Sequence, residues 1–219
     1  FAFLAGQVRA EIHDELPELT HTLLDLLWPQ YLKPFPSSTV VELKPDLAQL
    51  QGPYRLPAGS TSFESIPITS PETGRDFICR FRNVHDVDLL PLSMRSAEVR
   101  RLPSRSEIVI EFEVGPNVDA QKSWPNVRLH LAGDPVVALE MRYWLLTQTD
   151  GSQIRATIKP TEGPSRSGSL GPITSVGFDP RQTVNQPGRL SFPGYRLVQD
   201  YFLAKHRFLY VDLVGWEQL

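Results

Sequence analysis

The chain has 219 residues, 41% of them hydrophobic and 21% charged, with Gly and Pro together at about 16%, below the roughly 25–30% of low-complexity chains. It is therefore a globular chain of one large or two small domains, and its 20 prolines, against the about 11 of ordinary usage, argue against a mostly helical fold. The net charge of −3 supplies no global attraction to nucleic acid or to an anionic membrane.

The single cysteine, Cys79, excludes an intrachain disulfide and a cysteine-based zinc or iron–sulfur site, and fits a reducing compartment. No apolar run reaches the roughly 18 residues that span a bilayer, since Asp25 breaks the stretch Leu23 to Trp28.

The first apolar residues, Phe1, Leu4, Val8 and Ile12, recur at helical spacing. No Ser, Thr, Asp or Asn precedes them as a cap, which predicts a helix, and a natural chain, extending upstream. A second helix is expected to start near Pro17, with Glu15 and Glu18 at the positive end of its dipole, and to run to about Tyr31 with a kink at Pro29. Its residues Leu19, Leu23, Leu24, Leu26, Leu27, Trp28 and Tyr31 cover more than one stripe, so it needs a partner on its surface. Pro34 and Pro36 end it.

From Ser37 onward short β-like runs follow, spaced by turn residues. The clearest is Ile108, Ile110, Phe112 and Val114 alternating with Glu107, Val109, Glu111 and Glu113. Weaker ones lie at Val40 to Leu43, Phe77 to Arg82, Val127 to Leu131, Ile154 to Lys159 and Phe208 to Leu213. Two helices are interspersed, one entered by Asp134-Pro135 and one by Pro193. Thr161 to Gly171 reads as an exposed loop. The fold class is thus α+β: a helix pair over 1–36, then a β-rich mixed region over 37–219 that divides into two subdomains near 115–126.

Chemistry-bearing residues are sparse. His13, His21, His85, His130 and His206 show no metal-ligand spacing. His130 falls with Arg128 on the solvent side of a strand, and His206 stands between the cations Lys205 and Arg207. Cys79, His85 and Asp86 supply a nucleophile, a base and a carboxylate, yet Phe77, Cys79 and Phe81 alternate onto one face, which reads as a buried small hydrophobe. Neither a phosphate-binding glycine loop nor a GxSxG elbow is present. Arg95, Arg100, Arg101 and Arg105 fall within 11 residues, a patch that grips an acidic partner or forms a solvated face.

Three stretches resemble the TssF family, also called ImpG or VasA, a baseplate subunit of the bacterial type VI secretion system. They are residues 1–9 with Glu15–Thr20 and Leu23–Ser37; Tyr54–Ser60 with Cys79–Leu92 and Leu129–Pro135; and Val176–Phe178 with Ser191–Phe202 and Phe208–Leu213. Where the family usually carries a proline after the third stretch's helix, this chain has Ala204-Lys-His-Arg207.

The resemblance implies a structural wedge component without enzymatic activity or cofactors. The implied partners are TssG, TssK, a second TssF copy, TssE, the sheath and the spike hub, without nucleic acid or direct membrane insertion. The implied location is cytoplasmic, in a baseplate docked to the inner-membrane complex. Leu19, Leu23, Leu26, Leu27 and Trp28, with Arg100, Arg101 and Arg105, are the expected partner-facing residues. The alternatives are a β-rich binding domain for an extended peptide or glycan, using Trp124 or Trp216, and a hydrolase.

Overall fold

The computed structural model describes residues 1–28, 31, 34–118, 124–149, 154–161, 163–184 and 192–216. The expected α+β class holds: among the described residues, helices and antiparallel strands in six small sheets share the chain. The chain divides into two units, one of Phe1–Val40 with Val176–Leu209, the other of Val41–Ser175 with Tyr210–Leu219.

The first unit contains helix α1, Ala2–Leu27, about 39 Å long at 1.5 Å per residue. The break expected before Pro17 is absent: the helix runs through it. An interior proline removes one hydrogen bond, whereas ending and restarting a helix leaves four carbonyls and four N–H groups without helical partners. The His13–Leu16 segment offers no glycine to close a C-terminus. Leu24 O accepts from the Trp28 N–H at 2.7 Å and closes the helix. Pro29, where a kink was expected, lies outside the described residues.

The second unit carries the strands β1 Tyr54–Leu56, β2 Ser62–Glu64, β3 Ile68–Thr69, β4 Asp76–Phe77, β5 Arg80–Arg82, β6 Val87–Leu89, β7 Leu92–Arg101, β8 Ser106–Val114 and β9 Val127–His130. Helix α2, Pro135–Thr147, follows, then β10 Arg155–Ile158, β11 Arg166–Ser169, β12 Ile173–Ser175 and, after the chain returns, β13 Tyr210–Leu213. β1 pairs with β6, β2 with β5, β3 with β4, β7 with β8 and β10 with β11, while β12, β13 and β9 form one three-stranded sheet in that order.

Several strand expectations change. Val40–Leu43 forms no strand; four residues bounded by Pro36 and Pro45 find no neighbour to pair with. The run from Phe77 to Arg82 splits between β4 and β5 at Ile78 and Cys79, so its alternation breaks and Phe77 is 47% exposed. The Thr161–Gly171 loop contains β11, because Ser167 and Gly168 lie opposite Thr157 and Ala156 and complete a hairpin.

Turn and cap chemistry follows the sequence closely. Gly59, at φ 72°, turns the chain after β1 in a conformation that side chains disfavour. The Asp134 carboxylate accepts from Val136 N at 2.9 Å and Val137 N at 3.3 Å at the start of α2. Asp134→Ala should lower stability by about 1 kcal/mol, measured as a shift in denaturant midpoint at constant slope.

Asp86 holds the start of β6 to β1, accepting from Arg55 Nη2 at 2.6 Å and from Ala58 N at 2.8 Å. The Arg55 hydrogen bond, then that from Ala58, hold this carboxyl below the usual aspartate range. A depressed folded pKa stabilises above the unfolded value of about 3.9 and is lost as pH falls through the folded one. A carboxyl NMR titration should find the Asp86 midpoint below 3.9, rising in Arg55→Gln.

The core is small. Val127, Ala138, Leu170 and Val211 are buried in the second unit, and Val176, Ala204 and Phe208 in the first. Val211, at 0% exposed, sits on the central strand of the three-stranded sheet opposite Leu129.

Candidate assembly surfaces

Helix α1 presents its apolar residues outward. Leu19 is 62% exposed, Leu23 49%, Leu26 71% and Leu27 77%, and Phe3, Leu4 and Val8 are exposed nearer the start. Leu4 and Val8, four apart, and Leu19, Leu23, Leu26 and Leu27, three or four apart, each place their side chains on one side of the helix. Trp28 differs from the leucines: its ring lies 5.7 Å from that of Tyr31 and 5.4 Å from that of Tyr195, so it anchors the end of α1 within its own unit as well as offering exposed surface.

Tyr195 belongs to helix α3, Pro193–Leu203, which opens with proline in its first turn. The next turn is a 3₁₀ helix over Lys205–Leu209, closed by Arg207 N donating to Ala204 O at 3.0 Å. Ala204 is 1% exposed, a position where a bulkier side chain would clash.

Around this turn lies a buried polar network that the sequence reading missed. Arg207, read from the sequence only as a cation beside His206, is 6% exposed and forms an ion pair with Asp200, itself 4% exposed. Arg207 Nη2 also donates to Gly177 O, and its guanidinium stacks 4.9 Å above the Phe208 ring. Burial, then the neighbouring charge of Arg196, pull the Arg207 guanidinium down to about 10, which leaves it a cation at neutral pH. Arg196 Nη1 reaches Thr183 Oγ1 at 3.2 Å.

Gly177 permits the close approach: at φ 99° a Cβ there would lie 2.7 Å from Arg207 O. The Phe208 ring stacks on Phe178 at 5.3 Å and on Tyr201 at 6.1 Å. The available signal was a pair of charges four residues apart, Arg196 and Asp200, the two charged residues of a helix otherwise made of apolar and uncharged side chains.

The arginine patch lies on the β7–β8 ribbon and is internally neutralised. Arg95 pairs with Glu113 at 3.6 Å, Arg100 with Glu98 at 3.5 Å and Arg105 with Glu107 at 2.7 Å. Only Arg101, opposite Ser106 at the strand end, has no ion pair among the described residues. Arg128 and His130 are also less solvated than expected: Arg128 donates to both Asp212 oxygens at 2.8 and 2.9 Å, and the His130 ring rests 4.6 Å from that of Tyr210.

Asp86 is held by Arg55 and Ala58, and Cys79 is half-buried between two strands. Among the described residues no three His, Cys, Asp or Glu side chains are grouped to hold a metal ion. Trp124 and Trp216 are half-buried, and Trp216 Nε1 donates to Leu213 O at 3.0 Å. No helix among the described residues is long and apolar enough to cross a membrane.

A mixed α+β chain with about half of its described large apolar side chains exposed has the build of a subunit of a larger assembly. The family described as Type VI secretion system, TssF matches residues 1–219, and the chain belongs to it.

The type VI secretion system component TssF1 of Pseudomonas aeruginosa is 27% identical over 237 aligned residues, which cover 98% of this chain and 36% of that protein. A chain of the type VI secretion system TssK-TssF-TssG baseplate subcomplex, solved by cryo-electron microscopy, superposes with a TM-score of 0.83 at 29% identity, covering 100% of this chain and 40% of that one. The chain thus spans well under half the length of these relatives.

Proposed function

We propose that the protein is a structural component of the type VI secretion baseplate, binding TssG and TssK and scaffolding assembly through protein–protein contacts. The observation that carries this reading is α1, whose apolar residues Leu4, Val8, Leu19, Leu23, Leu26 and Leu27 are exposed and leave water only against a partner. Membership of the TssF family and the likeness to a chain of the TssK-TssF-TssG subcomplex support it.

The same reading assigns contacts with a second TssF copy, TssE, the sheath and the spike hub, and a cytoplasmic baseplate docked to the inner-membrane complex. It divides the chain into the helical segment 1–36 and the β-rich region 37–219. Its work is mechanical and needs no catalytic group or cofactor. Co-expression of the full-length protein with TssG and TssK, followed by mass measurement of the purified complex, should give a stable assembly containing all three. Recovery of the protein without either partner would refute the proposal.

A further inference from the structure

Three of the small sheets are stretches of one hairpin. β1 pairs with β6 from Tyr54 opposite Leu89 to Leu56 opposite Val87, β2 with β5 from Ser62 opposite Arg82 to Glu64 opposite Arg80, and β3 with β4 from Ile68 opposite Phe77 to Thr69 opposite Asp76. Residues 54–69 thus run antiparallel to 76–89, and Ser70 N donating to Arg75 O at 2.9 Å closes the far turn. The ladder is interrupted twice, each time with one extra residue on the outgoing strand. At the far break residues 65–67 face 78–79, and Ser65 bridges it: its N–H donates to Cys79 O at 2.9 Å and its Oγ accepts from Cys79 N at 3.0 Å. The near break is wider, with residues 57–61 facing 83–86. Asn83 spans it. Its N–H donates to Thr61 O at 3.3 Å and its carbonyl accepts from Gly59 N at 2.7 Å. Its side-chain Oδ1 accepts from Thr61 N at 3.0 Å, while Nδ2 donates to Pro57 O at 2.6 Å and to His85 O at 3.1 Å.

We infer that the near break is a joint in this hairpin and that the Asn83 side chain is the latch that locks it, holding β2–β5 and β3–β4 in one orientation to β1–β6. The main-chain ladder is missing there, so side chains set the geometry: Asn83 grips both ends of the 57–61 loop, and Asp86 accepts from Ala58 N at 2.8 Å on the near side. Residues 57–60 are exposed and Asn83 is half-buried. Backbone groups that lose Asn83 therefore turn to water, and the joint opens without leaving buried polar groups unpaired. The ladder within each stretch survives, and the Ser65–Cys79 pair carries β3–β4 along with β2–β5, so the far part moves as one piece. The latch must be an amide, because it donates twice and accepts once. A carboxylate at this position has no proton for Pro57 O or His85 O and repels both. The latch stands whether or not the baseplate reading does.

The test uses the full-length protein with its native cysteines replaced by serine and nitroxide labels introduced through Thr73→Cys and Asp88→Cys, one on each side of the joint. Double electron–electron resonance reads the distance distribution between them, and hydrogen exchange read by mass spectrometry follows the β7–β8 ribbon as an internal reference. One narrow distribution is expected with Asn83 in place. Asn83→Ala should widen it by a factor of about two or more while exchange in β7–β8 stays unchanged, as a local opening requires. Asn83→Asp, of the same size but without the two donors, should widen it at least as much at neutral pH. Equal widths with and without Asn83, a broad distribution in the presence of Asn83, or a narrow one in Asn83→Asp would each overturn the proposal. So would faster exchange in β7–β8 in either variant, because Asn83 would then support the whole unit rather than one joint.

Discussion

Replacing Leu23 and Leu27 together by aspartate should remove the protein from the proposed complex with TssG and TssK while leaving its own fold intact. Leu23 is 49% and Leu27 77% exposed, so the chain's own core loses little. Asp in the last turn of a helix costs only a few tenths of a kcal/mol. Fully burying an exposed leucine contributes about 1.5–3 kcal/mol, so at these exposures losing both weakens binding by about 2–4 kcal/mol, roughly 30- to 700-fold. Forcing two carboxylates into that contact adds to the loss.

Co-purification with TssG and TssK reads the effect, and circular dichroism with an unchanged unfolding midpoint shows that the helix persists. Asp25→Ala, on the opposite side of α1, should leave assembly unaffected. Binding by the double aspartate variant at the level of the unsubstituted protein would show that the stripe is not the docking surface.

The second large effect is on stability. Asp200→Ala leaves the buried Arg207 cation without its anion, and breaking a buried pair from one side costs about 3–5 kcal/mol. For a chain of this size that lowers the melting temperature by about 10 °C. Replacing both partners, with Asp200→Leu and Arg207→Met, should recover most of the loss, because no unpaired charge remains. If Asp200→Ala melts within about 1 °C of the unsubstituted protein, the pair does not hold the α3 turn. The two predictions separate cleanly, since one variant disrupts assembly without unfolding and the other unfolds without touching the α1 stripe.

How far the sequence could be read depended on the distance over which each feature is decided. The Asp134 cap, the proline entries to α2 and α3 and the alternation in β8 are all set within a few residues, and each appears as the pattern predicts. The α1 stripe was legible for the same reason: a helix places residues three and four apart on one side whatever surrounds it.

Pro17 misled because the proline rule describes a local cost, while continuity of the helix was settled by the larger cost of two extra termini. The arginine patch misled because a count of like charges along the strands ignores those facing them. Glu107 and Glu113 lie across the ribbon or on its return strand.

By itself, the sequence determined the α+β class, the capped and proline-entered helices and the set of apolar residues that helix α1 carries outward. Only the tertiary structure decided which charges are buried and which are paired. Arg207 reaches Gly177 across 30 residues, Arg55 reaches Asp86 across 31, and Arg128 reaches Asp212 across 84. The physical reason is that periodicity and capping are properties of a short backbone segment, whereas desolvation and Coulomb pairing depend on whatever the fold brings within a few ångströms, and no local pattern encodes that.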